Sequence, residues 1–144
     1  MFQLGYRTII PLWLCCLFQL GACGTSPPSV VQKHNALKSR IAALENESLG
    51  PIDSGNAIAH PTENTEYIIA HRDEAVALLV EALREEHKPV LIAYAAYCLR
   101  RIGSNRGKDR AASLYKALAQ RGDQVSLKER FARYELKEYL DQAH

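Results

Sequence analysis

From Glu66 to His144 the chain carries one proline, Pro89, and its apolar residues recur at the three- and four-residue spacing of a helical face. Asp73 can cap a helix whose apolar side is Ala75, Val76, Leu79, Val80, Ala82 and Leu83. A break at Glu86-His87-Lys88 precedes Pro89, and proline suits the first turn of a new helix because its missing N–H has no intrahelical partner there. That helix is expected to run to Ile102, with Gly103, Ser104 and Asn105 as its stop. A third is expected from about Lys108 to Ala119, ended by Gly122. A fourth runs from about Ser126 to Gln142 on Leu127, Phe131, Tyr134, Leu136, Tyr139 and Leu140. A shorter helix around Glu66–Ala70 packs at the front. The expected fold class is all-α, two antiparallel helix pairs in residues 66–144.

The N-terminal part reads differently. Thr8 to Leu20 is an apolar run with a single late Gln19, and Arg7 is the only charged side chain in residues 1–22. This is the layout of a secretory signal peptide, too short for a confident spanning helix, which needs roughly 20 apolar residues. The run closes on Leu20-Gly21-Ala22-Cys23, which resembles the lipobox of bacterial lipoproteins: a branched apolar residue, two small residues, then cysteine. The resemblance implies that Cys23 takes a diacylglycerol on its thiol, that residues 1–22 are removed, and that the new amino group is acylated. Two or three long chains, at about 0.8 kcal/mol per buried methylene, hold a protein stably on a membrane. Gly24, where enteric lipoproteins retained at the inner membrane carry Asp, implies the outer membrane of a Gram-negative host, facing the periplasm. A plain cleaved signal and an uncleaved anchor are the alternatives.

Residues 23–65 are expected as the lipidated cysteine and a tether. Gly24-Thr25-Ser26-Pro27-Pro28-Ser29 favours an extended chain. A short amphipathic helix follows over about 30–47, with Val30, His34, Leu37, Ile41 and Leu44 alternating at spacings of three and four. It is too short for a sustained coiled coil and is expected to fold back on the domain or the membrane. Residues 48–65, rich in Gly, Pro, Asn, Asp and Ser, read as a flexible connection.

Within the helical region, Pro89, Leu91, Ala95, Ala96, Cys98, Leu99, Ile102 and Gly103 resemble the inner helix of a HEAT-type repeat, and Ala75 to Leu83 resembles the outer one. A looser second copy maps Leu79 to Tyr115, 36 residues on, and Ile102 to Tyr139, 37 on, a period that fits helix-pair solenoids. Ile92 stands where many HEAT repeats carry Arg, and Ala77 replaces a common Pro. Ala111, Tyr115 and Leu118 also fit a TPR-like unit. An ordinary Ala-rich four-helix domain is the other reading.

The chemistry-bearing residues are few. His34, His60, His71, His87 and His144 show no metal-ligand spacing, there is no Gly-rich phosphate loop, and Ser113 and Ser126 lack a nucleophile-elbow context. No catalytic residue, metal, cofactor or small-molecule substrate is expected. With Cys15 and Cys16 in the signal and Cys23 lipidated, Cys98 is alone, and inside an Ala-rich helix it reads as a small buried residue.

The formal net charge of +2 conceals a division. Residues 63–86 hold seven acids against two bases, and residues 100–133 hold ten bases against three acids. Arg100, Arg101, Arg106, Lys108, Arg110, Arg130 and Arg133 are therefore the candidate basic binding surface. The expected function is a lipid-anchored adaptor or assembly factor that binds another envelope protein or a second copy of itself. The alternative is a structural envelope protein that contacts anionic lipid or cell-wall polymer through residues 100–133. Nucleic acid is not an expected partner for an exported lipoprotein.

Overall fold

The computed structural model describes residues 29–142 apart from 54–55, 85 and 123–124. Residues 1–22, expected as a signal peptide ending in Leu20, Gly21 and Ala22, and Cys23, expected as the lipidated residue, lie outside the described residues. What is described is an all-α domain of six helices packed on one another. They are α1 (Val30–Ala43), α2 (Glu63–Ala70), α3 (Arg72–Ala82), α4 (Pro89–Ile102), α5 (Lys108–Gln120) and α6 (Leu127–Asp141). A 3₁₀ turn, Leu44–Asn46, extends α1, and a two-residue antiparallel pairing joins β1 (Ile52–Asp53) to β2 (Asn56–Ala57).

Local sequence sets most of the helix ends. Ser29, Thr62 and Ser126 each close a capping box, their hydroxyls accepting from the backbone N–H three residues on while that residue's side chain returns the bond. Pro89 opens α4, and Gly103 ends it in the left-handed region at φ 77°, where only glycine sits without strain. The expectation for Asp73 is corrected. His71 is the N-cap of α3, with no side-chain cap bond, because the chain turns from α2 into α3 through that single residue. Asp73 lies inside the first turn, where its charge still complements the helix dipole.

α4 is the centre of the molecule. Apart from Pro89, Arg100 and Arg101, every one of its residues is buried, as befits a helix apolar on all sides. Ala93, Ala95 and Ala96 are fully buried, and their small side chains let neighbouring backbones approach. α6 is its main partner, through Phe131, Ala132, Leu136 and Tyr139, and the rings of Tyr94 and Phe131 meet edge-to-face at 5.6 Å. α3 packs on α4 and α5 packs on α6, in the order that the helical spacing predicts.

The segment expected as a tether is largely part of this core. Leu37, Ile41 and Leu44 are buried, and α1 packs against α2, α3 and α4, while the first turns of α1, Val30 to Ala36, stay exposed. Of residues 48–65, expected as a flexible connection, 63–65 begin α2, and described residues before them are held by side chains of the core. The Tyr94 hydroxyl donates to the Ser48 carbonyl at 2.8 Å and lies 3.1 Å from His60 Nδ1. Tyr94 has one proton, so His60 Nδ1 is the donor in that second contact. The Ala59 N–H donates to Glu135 Oε1 at 2.7 Å. The Gly- and Pro-rich composition reports a chain without regular structure. It does not report whether other side chains hold that chain in place.

Gly50 shows how closely this segment is fitted. A Cβ there would lie 1.7 Å from the Ile58 carbonyl oxygen and 2.9 Å from His60 Nδ1. Gly50→Ala is therefore expected to cost about 1–3 kcal/mol, the usual penalty for overpacking. Urea unfolding should show a lower midpoint with an unchanged slope. A midpoint equal to wild type would contradict the packing described here.

Candidate interaction surfaces

The seven basic residues expected to share a surface are put to different uses. Arg100 turns inward, its Nη2 donating to Glu135 Oε2 at 3.1 Å and its Nη1 to Glu138 Oε2 at 3.0 Å. Lys108 Nζ donates to the Gln142 carbonyl at 2.9 Å and, more weakly, to that of Leu140 at 3.4 Å, so it fastens the end of α6 to the start of α5. Arg110 Nη1 donates to the Val80 carbonyl at 2.9 Å and to Glu81 at 3.2 Å, tying α5 to the last turn of α3. Their charges are largely spent on holding helices together.

The remaining four lie apart. Arg101 is exposed in the last turn of α4, near enough to Tyr97 to oppose the rise that burial imposes on that phenol. Arg106 shares a concavity of about 470 Å³ with Arg72, Asp73, Ser104 and Gly103, beside the turn between α4 and α5. Arg72 reaches across it to donate to the Ile102 carbonyl at 3.0 Å. Arg130 and Arg133 line a separate concavity of about 230 Å³ with Lys137, Tyr115, Tyr134 and Asn56.

A further groove lies between α5 and the chain that follows α3. Leu83, Leu114 and Ala117 form its apolar floor, and Arg84, Glu86, Asp109 and Arg110 stand around it in about 500 Å³. Past Leu114 and Ala117 it continues into a small recess of about 40 Å³ with Pro89, Ile92 and Leu118 in its walls. One wall is the face of α5 that carries Asp109, Arg110, Ser113, Leu114 and Ala117, and the other is the chain that leaves α3 at Leu83. Leu83, Leu114 and Ala117 are not marked in the sequence as the floor of a groove: Leu83 reads as part of the apolar face of α3, and Leu114 and Ala117 are not singled out.

The most deeply set charged group also went unmarked in the sequence. Glu135 is fully buried, and burial pushes its carboxyl above the usual glutamate range although the Ala59 N–H and Arg100 pull the other way. A signal was present: Phe131, Glu135 and Tyr139 are four residues apart, which puts the carboxylate on the apolar stripe of α6.

Cys98 is fully buried on α4, and burial pushes its thiol up to about 12. Thiolate is the reactive form, so native Cys98 is expected to resist iodoacetamide at neutral and mildly alkaline pH and to react on denaturation. Peptide mapping after brief labelling reads this, and native labelling as fast as in denaturant would refute it. Among the described residues no group of three or more His, Cys, Asp or Glu is placed to hold a metal ion, and no helix is long and apolar enough to cross a membrane.

No family model matches this chain, and no curated protein or solved structure matches it either.

Proposed function

We propose that this is a lipid-anchored protein of the bacterial envelope whose helical domain serves as an adaptor or assembly factor for another envelope protein. The anchor rests on Leu20-Gly21-Ala22-Cys23 and the apolar run before it. The adaptor role rests on one observation above others, the groove between α5 and the chain that follows α3. An apolar floor framed by charges of both signs is the usual make-up of a protein interface, in which the floor supplies affinity and the rim sets register. Its α5 wall, from Asp109 to Ala117, spans about two helical turns and suits a short extended or helical segment of a partner.

The HEAT-like reading belongs to the same proposal. It is supported by proline at the start of α4, by left-handed Gly103 at its end, and by the alanines that bring α4 close to its neighbours. Pairs of this kind are marginal alone, because end repeats need covering. Here α1 and α2 cover one flank of α4. In a Gram-negative host the domain would face the periplasm from the outer membrane.

The test is a photo-crosslinking residue in place of Ser113, an exposed position in the groove wall, followed by purification from detergent-solubilised membranes. One stoichiometric protein crosslinked at this position, and not at exposed Gln32 on α1, is the expected result. Equal, non-stoichiometric labelling from both positions would overturn the adaptor reading.

A further inference from the structure

The concavity lined by Arg130 and Arg133 differs in its electrostatics from the three others described above. Its cations come from one helix face, Arg130, Arg133 and Lys137 being spaced three and four residues apart on α6. Tyr115 of α5 and Tyr134 of α6 bring phenolic hydroxyls, and Asn56 of β2 brings a side-chain amide. No carboxylate is among these lining residues. The concavity beside Arg106 contains Asp73, the groove along α5 contains Glu86 and Asp109, and the recess beyond it contains Glu129.

The arginines themselves point the same way. Arg40, Arg84, Arg100, Arg110 and Arg121 each pair with at least one glutamate. Arg130 and Arg133, like Arg72, Arg101 and Arg106, form no ion pair among the described residues, but they alone of these five share a described concavity that no carboxylate lines. Lys137 pairs with Asp141 and thereby offsets only part of the local charge. Adjacent guanidinium groups without counter-charge repel one another. An anion with several oxygens relieves that repulsion and accepts the forked N–H groups in pairs.

We propose that Arg130, Arg133 and Tyr115, with Lys137 at the edge, form a binding site for a phosphate group. The arginines supply paired donors, the phenol of Tyr115 supplies a further one, and the net charge of the wall supplies attraction. A volume of about 230 Å³ equals the liquid volume of roughly seven or eight waters, enough for a phosphate ester with a small substituent. In an envelope protein the phosphate can be free, as a small ester, or the headgroup of an anionic phospholipid. The site does not depend on the adaptor reading, since it shares no lining residue with the groove on which that reading rests.

The experiment titrates the full-length protein in neutral detergent micelles with inorganic phosphate and with glycerol phosphate. In a parallel arm the micelles are doped with phosphatidylglycerol or with phosphatidylcholine. NMR of the arginine side chains and calorimetry read binding. The double variant R130A/R133A should weaken binding by about tenfold or more, the effect of losing 1.4 kcal/mol or more of interaction. R101A/R106A removes the same formal charge elsewhere and should change it less than twofold. Saturable binding of the soluble esters, lost in R130A/R133A, assigns a free phosphate. Binding confined to phosphatidylglycerol micelles, lost in the same variant, assigns a lipid headgroup. Equal loss in both double variants, or no binding of any probe by wild type, would overturn the site.

Discussion

Glu135→Ala is expected to lower stability by about 3–4 kcal/mol. Breaking a buried ion pair from one side costs about 3–5 kcal/mol in general. The lower part of that range applies because Arg100 keeps Glu138 as a partner. What cannot be replaced is the acceptor for the Ala59 N–H, which would be left buried and unpaired. The loss should also be felt at a distance along the chain, since this bond fastens residues 48–60 to α6. Amide exchange in that segment should accelerate in the variant more than exchange in α4. Equal acceleration in both would mean that Glu135 supports only the global fold.

Glu135→Gln separates charge from shape. The glutamine keeps an oxygen for the Ala59 N–H but offers Arg100 a donor in place of an acceptor, so an intermediate loss is expected. Its pH dependence has a definite sign. Folding raises the Glu135 pKa above 4.5, chiefly by burial, so the folded chain holds this proton more tightly than the unfolded one. The resulting stabilisation is complete below 4.5 and is lost as pH rises through the folded value. The stability advantage of wild type over Glu135→Gln should therefore shrink as pH rises from about 4 towards neutrality. Denaturant unfolding at several pH values measures it, and an advantage that grows over that range would contradict the assignment.

Leu37→Ala is the second large effect, expected at about 3 kcal/mol. Removing a fully buried leucine costs about 2–5 kcal/mol from lost transfer energy and the cavity left behind. The site is informative because Leu37 belongs to α1, in the segment whose sequence reads as a tether. A mobile spacer would show no measurable change in the unfolding midpoint. A loss of the expected size, with the transition still single and cooperative, places α1 inside the folding unit.

Much of the fold was legible because its signals are local. The capping serine before α6, proline at the start of α4, and Gly103 at its end each act within a turn, and they place those boundaries within a residue or two. The packed part of α1 was legible as an amphipathic helix, since Leu37, Ile41 and Leu44 keep helical spacing. Its partner was not, because an amphipathic face does not say what it meets. Residues 48–60 were illegible for a related reason. Their order comes from the Tyr94 hydroxyl and the Glu135 carboxylate, groups 34 or more residues away along the chain. The basic segment shows the limit of charge counting. Arg100, Lys108 and Arg110 are spent on carboxylates and carbonyls within the domain, and only the folded arrangement separates them from Arg130 and Arg133.

The functional proposal depends on the proposed lipid anchor at Cys23, and mass spectrometry of the mature protein from membranes tests that anchor most directly. The account predicts an N-terminal peptide that begins at Cys23 and carries a thioether-linked diacylglycerol with an acylated amino group. It also predicts that Cys23→Ala is neither cleaved before residue 23 nor processed into a lipid-bearing form. A mature chain that starts elsewhere, or a Cys23→Ala variant that is still processed and still held on the membrane, would contradict it.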